Sequence, residues 1–182
     1  MLGFVDGLRE LEQANAWYEA CDLLYRRWSV DKMDADKLIR VALECWYVLL
    51  EGSVIGFSED EREASRIGEM LSECSAYGLE KLSSTFDFVW AYVYMTAVSS
   101  IPLTWNDGSE AAYAAWEDIG RQLNCRGLAL YPDYPLAGVT FIGPDYDAHQ
   151  RAKKLAEIDV EQLFPNDDEM SLYFRAMYTP MR

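Results

Sequence analysis

Apolar residues recur at steps of three and four residues along the N-terminal part of this chain. They are Phe4, Leu8, Leu11, Ala14, Tyr18, Cys21, Tyr25 and Trp28. Because an α-helix turns once in about 3.6 residues, this spacing places their side chains on one helix face. Similar periodicity predicts helices over 34–52, 58–82, 86–100, 109–131 and 146–164, with shorter helices over 132–143 and 166–178.

Strand signals are weak by comparison, since no clear alternation of apolar and polar residues occurs. The stretch GVTFI, residues 138–142, is the only plausible strand. The sequence therefore predicts an all-α fold of about eight helices, and its length fits a single domain over residues 1–182.

Two similar turns lie 33 residues apart near the C-terminal end. They read Leu130-Tyr131-Pro132-Asp133 and Leu163-Phe164-Pro165-Asn166-Asp167. Each follows a long helix and leads directly into the next apolar stretch, whereas looser loops occupy 52–57 and 101–108. This alternation is typical of antiparallel helix pairs that stack side by side.

The last third of the chain, residues 128–179, resembles the tetratricopeptide repeat family. Phe174 and Tyr178 follow the second turn at the spacing of that repeat, and Ala152 and Ala156 are small where paired helices must approach closely. Arg175 departs from the pattern because it replaces the usual small residue. The resemblance implies a tetratricopeptide-like α–α superhelix, and an irregular helical bundle is the alternative.

The chain is strongly acidic, with 31 Asp and Glu against 16 Lys and Arg and a formal net charge of −15. Both the N-terminal third and the remainder are acidic, and the only dense basic run is RAKK at 151–154. Direct binding to a phosphate backbone is therefore disfavoured. The charge favours a basic protein partner, or serves solubility alone.

The N-terminal segment MLGFVDGLRELEQ has no basic region and no long apolar run, so we expect no secretion signal. The stretch at 86–103 contains Asp87 and Pro102, and we interpret it as a buried helix rather than a membrane span. Cys21, Cys45, Cys74 and Cys125 lie among apolar helical positions without a CxxC motif. We expect them to be reduced, buried thiols, and the protein to be cytoplasmic.

Most acidic clusters have the form of helix caps. Ser58–Glu61 and Ser84–Asp87 resemble capping boxes, Asn166 is placed to cap the last helix, and Asp31, Asp34 and Asp36 precede the second helix. No metal ion and no cofactor is therefore predicted. No nucleotide-binding, zinc-protease or hydrolase motif occurs, and the single His149 lies on a polar face. The sequence thus predicts a protein that is not an enzyme, unless carboxylates converge across helices.

Aromatic residues make up 14% of the chain, and most of them should form the core. In a stacked array, some rings on the concave side anchor a partner. We predict a partner-binding surface made of Trp46, Trp90, Tyr94, Phe141 and Tyr178, flanked by the acids Glu44 and Asp87.

The leading hypothesis is a non-enzymatic interaction protein that binds a protein partner, one that is basic or presents a basic segment. One version is an adaptor or chaperone that holds an extended peptide in an aromatic groove. The other is a bacterial immunity protein or antitoxin, whose acidic surface blocks a cationic toxin such as a nuclease. An aromatic concave groove favours the first version, and a broad acidic face favours the second.

Overall fold

The computed structural model describes residues 2–57, 60–134, 136–141 and 147–179. Those residues form helices and no β-strand, so the predicted all-α class is confirmed. The helices are α1 (Leu8–Gln13), α2 (Trp17–Val30), α3 (Ala35–Ile55), α4 (Glu61–Lys81), α5 (Phe86–Val98), a 3-10 helix (Pro102–Thr104), α6 (Glu110–Leu130), α7 (Ala137–Thr140), α8 (Ala148–Glu157), α9 (Val160–Leu163) and α10 (Glu169–Tyr178).

Two helices, α3 and α5, form the centre of the fold. Every residue of α3 from 38 to 48 is buried, and so is every residue of α5 from 88 to 95. Helix α3 packs against α2, α4 and α5, and α5 packs against α3, α6 and α7. Helices that are apolar all round, such as α5, belong inside a core, and the buried helix predicted within 86–103 is confirmed for α5 up to Met95. No helix in the described part of the chain has the length and apolarity needed to cross a bilayer.

The two ends of the chain meet in this fold. Asn166 Nδ2 donates a hydrogen bond to the Leu2 carbonyl oxygen at 2.6 Å, and α10 places Tyr173 against Tyr47 of α3 and Phe174 against Trp90 of α5. In a superhelical array each repeat contacts only its sequence neighbours. The tetratricopeptide-like superhelix is therefore not confirmed, and these contacts agree better with the alternative of an irregular helical bundle.

Two predicted long helices are broken in the structure. The first stops at Gln13, because Asn15 adopts a left-handed backbone conformation (φ 56°) that lets α1 fold against α2. Asn tolerates this conformation better than most residues. The helix predicted over 146–164 divides between Glu157 and Val160, and Asp159 caps the new helix by accepting from Gln162 N at 3.0 Å.

The suggested strand GVTFI is also wrong over its described part. Residues 137–140 form the short helix α7, and Phe141 follows it in extended backbone. Ile142 lies outside the described residues.

Helix caps were predicted with mixed success. Asp34 caps α3 as expected, since Oδ1 accepts from Lys37 N at 3.1 Å. Helix α4 begins at Glu61 and is capped by Asp60. The Asp60 side chain accepts hydrogen bonds from the backbone N atoms of Arg62 and Glu63. Ser58, the cap predicted there, lies outside the described residues.

Two other predicted caps are wrong. Ser84, the cap predicted for α5, is not at its N-cap position, which Thr85 occupies, and the Thr85 hydroxyl donates to the Leu82 carbonyl instead of accepting from the helix. Asn166 does not cap α10, because its side-chain amide donates to the Leu2 carbonyl and the helix begins only at Glu169. Asp168 caps α10 instead.

The four cysteines are free thiols, and the prediction that they are buried is confirmed for three of them and wrong for Cys125. Cys21, Cys45 and Cys74 are buried, whereas Cys125 is exposed because α6 buries only a narrow stripe that contains Gly120, Leu123 and Gly127.

Gly78 lets α4 approach α5 closely. A Cβ atom at this position would lie 2.1 Å from Phe88 Cε2. The Phe88 ring is fully buried and stacks on Tyr92 at a centroid distance of 4.2 Å, and Tyr92 Oη donates to Ser75 Oγ at 2.9 Å. A shift of the Phe88 ring would therefore disturb its stacking on Tyr92.

We predict that Gly78→Ala destabilises the protein by about 1–2 kcal/mol, because overpacking outweighs the gain in helix propensity. Gly52→Ala is the matched control, since its Cβ would meet only the half-buried Phe57 ring at 3.2 Å, and it should be neutral or stabilising. Urea denaturation followed by circular dichroism measures both. Equal effects of the two substitutions would contradict the tight α4–α5 contact.

Candidate functional site: an acidic cleft beside a buried charge cluster

The five aromatic residues predicted to bind a partner lie in the core. Trp46 and Trp90 are 0% exposed, Phe141 is 5%, Tyr178 is 3% and Tyr94 is 8% exposed. The predicted placement of these rings on an accessible surface is therefore wrong.

The polar groups of the buried Trp and Tyr rings have hydrogen-bond partners inside the protein, so their burial leaves no donor unsatisfied. Trp46 Nε1 donates to the Ser99 carbonyl at 2.9 Å, and Trp90 Nε1 donates to Tyr178 Oη at 3.3 Å. Tyr94 Oη donates to Tyr173 Oη at 2.9 Å. Satisfied in this way, the rings stabilise the contact of α10 with α3 and α5.

The two acids predicted to flank those rings do not share a surface either. Glu44 is fully buried in α3. Asp87 is half-buried at the start of α5, where burial and the nearby Asp36 raise the pKa of its carboxyl group. Glu44 nevertheless belongs to the most unusual polar arrangement of the molecule.

Three buried carboxylates surround one buried guanidinium. The Arg40 Nη2 atom lies 2.8 Å from Asp168 Oδ1, 3.6 Å from Glu12 Oε1 and 3.7 Å from Glu44 Oε2. All four side chains are at most 6% exposed. We call this group the Arg40 cluster.

The Arg40 cluster joins the first helix, a central helix and the last helix. Arg40 and Glu44 are one turn apart on α3, Glu12 is on the last turn of α1, and Asp168 caps α10. Glu12 Oε2 also accepts from the backbone N of Glu169 at 2.8 Å. Both acids thus stabilise the N-terminus of α10, where the helix dipole favours negative charge.

The cluster contains more negative than positive charge. Burial raises the pKa of Glu44 to about 8, with Arg40 opposing the shift and the carboxylates of Glu12 and Asp168 contributing to it. Burial raises the pKa of Glu12 to about 7, against the hydrogen bond from Glu169 N and the charge of Arg40. Protonation thus relieves part of the excess negative charge at neutral pH.

Beside the cluster lies an open cleft of about 690 Å³ between α1, the end of α3 and the start of α10. Glu12, Asp167 and Glu169 supply carboxylates to its lining, and Trp17 and Tyr47 supply aromatic rings. The remaining residues are Arg9, Gln13, Asn15, Val54, Ile55 and Leu172. Among the described residues of this lining, Arg9 alone is positively charged. We call this opening the acidic cleft.

Two hydrogen bonds fix the aromatic part of the acidic cleft. Trp17 Nε1 donates to the Ile55 carbonyl at 3.0 Å, and Tyr47 Oη donates to Glu169 Oε1 at 3.0 Å. The two rings meet edge to face with centroids 6.4 Å apart. Val54 and Leu172, which are 79% and 45% exposed, form an apolar rim.

Carboxylates do converge across helices here, which is the arrangement that would favour an enzyme or a metal site. They converge on a guanidinium, however, which occupies the position that a cation would need. The described residues contain no group of three or more His, Cys, Asp or Glu side chains placed to hold a metal ion. His149 is exposed on α8 and does not line the cleft.

Compared with known protein families, curated proteins and solved structures, the chain matches none. The resemblance to tetratricopeptide repeats therefore depends on the motifs in residues 128–179.

One local feature of the sequence could have indicated part of the Arg40 cluster. Arg40 and Glu44 are opposite charges at i and i+4 inside an otherwise apolar helical run. No local pattern indicated Glu12 or Asp168, because their partners in the cluster are far away in the chain.

We predict that Arg40→Met destabilises the protein by about 3–5 kcal/mol, because it leaves three buried carboxylates without a cation. Glu44→Gln is the matched control at the same cluster. Since Glu44 is mostly protonated at neutral pH, the amide should change stability by less than about 1 kcal/mol. Urea denaturation at pH 7 measures both, and a larger loss for Glu44→Gln than for Arg40→Met would contradict this account.

The raised pKa values also predict how stability depends on pH. Between the unfolded-state value of 4.5 and the folded values of about 7 and 8, the folded protein binds more protons at Glu12 and Glu44 than the unfolded chain. The free energy of unfolding should therefore fall as pH rises from about 5.5 to about 8.5. Glu44→Gln should flatten this decline, whereas Glu110→Gln on the exposed side of α6 should not.

Proposed function

We propose that this chain is a non-enzymatic interaction protein that binds a basic protein partner, in the manner of an adaptor or chaperone. The position of its acids supports a basic partner, which the adaptor and the inhibitor versions of this function share. Among the Asp and Glu residues that the structure describes, only Glu12, Glu44 and Asp168 are buried. All other described Asp and Glu side chains are at least partly accessible, and they are distributed over most of the helices.

A surface of this kind acts on a partner before contact. With a formal net charge of −15, the protein attracts positive surfaces and raises the rate of association. Salt screens the attraction beyond about 8 Å at physiological ionic strength, so specific binding also requires close contacts. The same charge repels nucleic acids.

A second candidate function is that of an immunity protein or antitoxin. Burial of the five aromatic rings favours it, because the rings are not available to line a peptide groove. The accessible carboxylates would then oppose the cationic active site of a toxin such as a nuclease, as a nucleic acid substrate does. Both candidates require a basic partner, and they differ in whether that partner is held or inhibited.

The test is affinity capture from a lysate of the native host, with washes at low and then high salt and identification by mass spectrometry. An unrelated folded protein of similar negative charge serves as the control bait. We expect one basic protein that resists the high-salt wash and is absent from the control. If all captured proteins are lost as salt rises, or are shared with the control bait, the proposed function is wrong.

A further inference from the structure

We propose that the acidic cleft binds a lysine or arginine side chain of the basic protein partner, with the cationic group placed against Glu12 and Glu169. This inference rests on the proposed function and assigns a site to it.

The first argument is the balance of charge within the acidic cleft. Arg9 Nη1 lies 3.5 Å from Asp167 Oδ2, and Arg175 Nη2 lies 3.0 Å from Asp167 Oδ1, so Asp167 already has cations beside it. Glu169 pairs with no Lys or Arg of the described chain. Its Oε1 atom accepts only the hydroxyl of Tyr47. Glu12 shares the single charge of Arg40 with two other carboxylates.

The second argument is an oxygen atom without a hydrogen-bond donor. Glu12 lines the cleft although its side chain is only 4% exposed. Its Oε2 atom is held by Glu169 N, which fixes the carboxylate, but no donor from the described residues bonds to Oε1. The nearest cation, Arg40, lies 3.6 Å from this atom. A buried acceptor left in this state is costly. A cation in the cleft would offset the charge of the Glu12 carboxylate from its outer side.

The remaining lining indicates which cation fits. Trp17 and Tyr47 are only 4% and 6% exposed, so they form an apolar wall rather than open ring faces, and such a wall suits the aliphatic stem of a lysine or arginine side chain. The exposed Val54 and Leu172 at the rim would stay in water around a small free amine. A protein surface that delivers the side chain would cover them, and burial of this apolar rim adds to affinity.

Protons compete with this cation. Glu12 faces Arg40 and Glu44 from α3 and Asp168 and Glu169 from the start of α10. Arg9 of its own helix and Asp167 also line the cleft, and burial raises the pKa of Glu12 to about 7. Only the ionised carboxylate attracts a cation. Affinity should therefore increase as pH rises from about 6 to about 8, which is opposite to the trend expected for stability.

The probe is the peptide acetyl-Gly-Leu-Arg-Leu-Gly-amide, with citrulline in place of Arg as a neutral control of nearly the same shape. Binding is followed by ¹⁵N NMR through the indole NH of Trp17, assigned with Trp17→Phe. Trp105 and Trp116, which do not line the cleft, serve as internal references. We expect a saturable shift of the Trp17 signal with the arginine peptide and none with citrulline. Arginine amide alone should bind more weakly than the peptide.

Two variants with opposite expected effects test the site. Arg9→Gln removes the positive charge of the lining and should tighten binding about threefold or more, an outcome that structural damage would not produce. Arg62→Gln makes the same charge change at an exposed position outside the cleft and should have little effect. Glu12→Gln should weaken binding about tenfold, whereas Glu110→Gln should not.

The outcomes separate this inference from the proposed function. If Arg9→Gln and Arg62→Gln act equally, or if the Trp17 signal does not move, the acidic cleft is not the site. Capture of a salt-resistant basic partner would then still support the proposed function. If no such partner is captured but the peptide binds as described, the cleft recognises a basic side chain from another source and the assignment to a protein partner is wrong.

Discussion

The fold depends on one buried guanidinium that three elements share. Arg40 lies on a central helix, and the acids around it come from the first helix, from its own helix and from the cap of the last helix. Charges of this kind gain little net stability over apolar packing, but removal of one partner leaves the others buried without compensation. The cluster therefore specifies where α1 and α10 must lie against α3. Because both ends of the chain are held there, the bundle closes.

Aromatic side chains fill the space where the last helix packs against the central helices. Helices α3 and α5 are buried on every side over 38–48 and 88–95, so they need large partners all around them, and α10 supplies Tyr173, Phe174 and Tyr178. Trp90, Tyr94 and Tyr178, which could have anchored a partner on a concave surface, instead fill the space between the last helix and the central helices. Most acidic side chains are left on the accessible surface, and the acidic cleft is one place where aromatic residues and carboxylates line the same space.

Local patterns predicted much of the fold, and long-range pairs limited the prediction of the site. The spacing of apolar residues gave the helices, and both Pro-containing turns occur where α6 ends at Leu130 and α9 ends at Leu163. The break at Asn15 was missed because apolar periodicity continues through it. Glu12 and Glu169 are 157 residues apart and meet only in the folded chain. Exposure was also predicted wrongly for the rings, since periodicity shows that a residue shares a helix face but not what covers that face.

The excess of negative charge beside Arg40 links the stability of the fold to its surface. In the free protein, protons can neutralise part of this excess at Glu12 and Glu44, and no further cation is required. A basic side chain that enters the acidic cleft would replace the proton on Glu12 with a fixed positive charge. Because anything that binds only the folded state stabilises it, such a partner would strengthen the attachment of α1 and α10 to α3. A protein that binds here would therefore tighten the same contacts by which the bundle is closed.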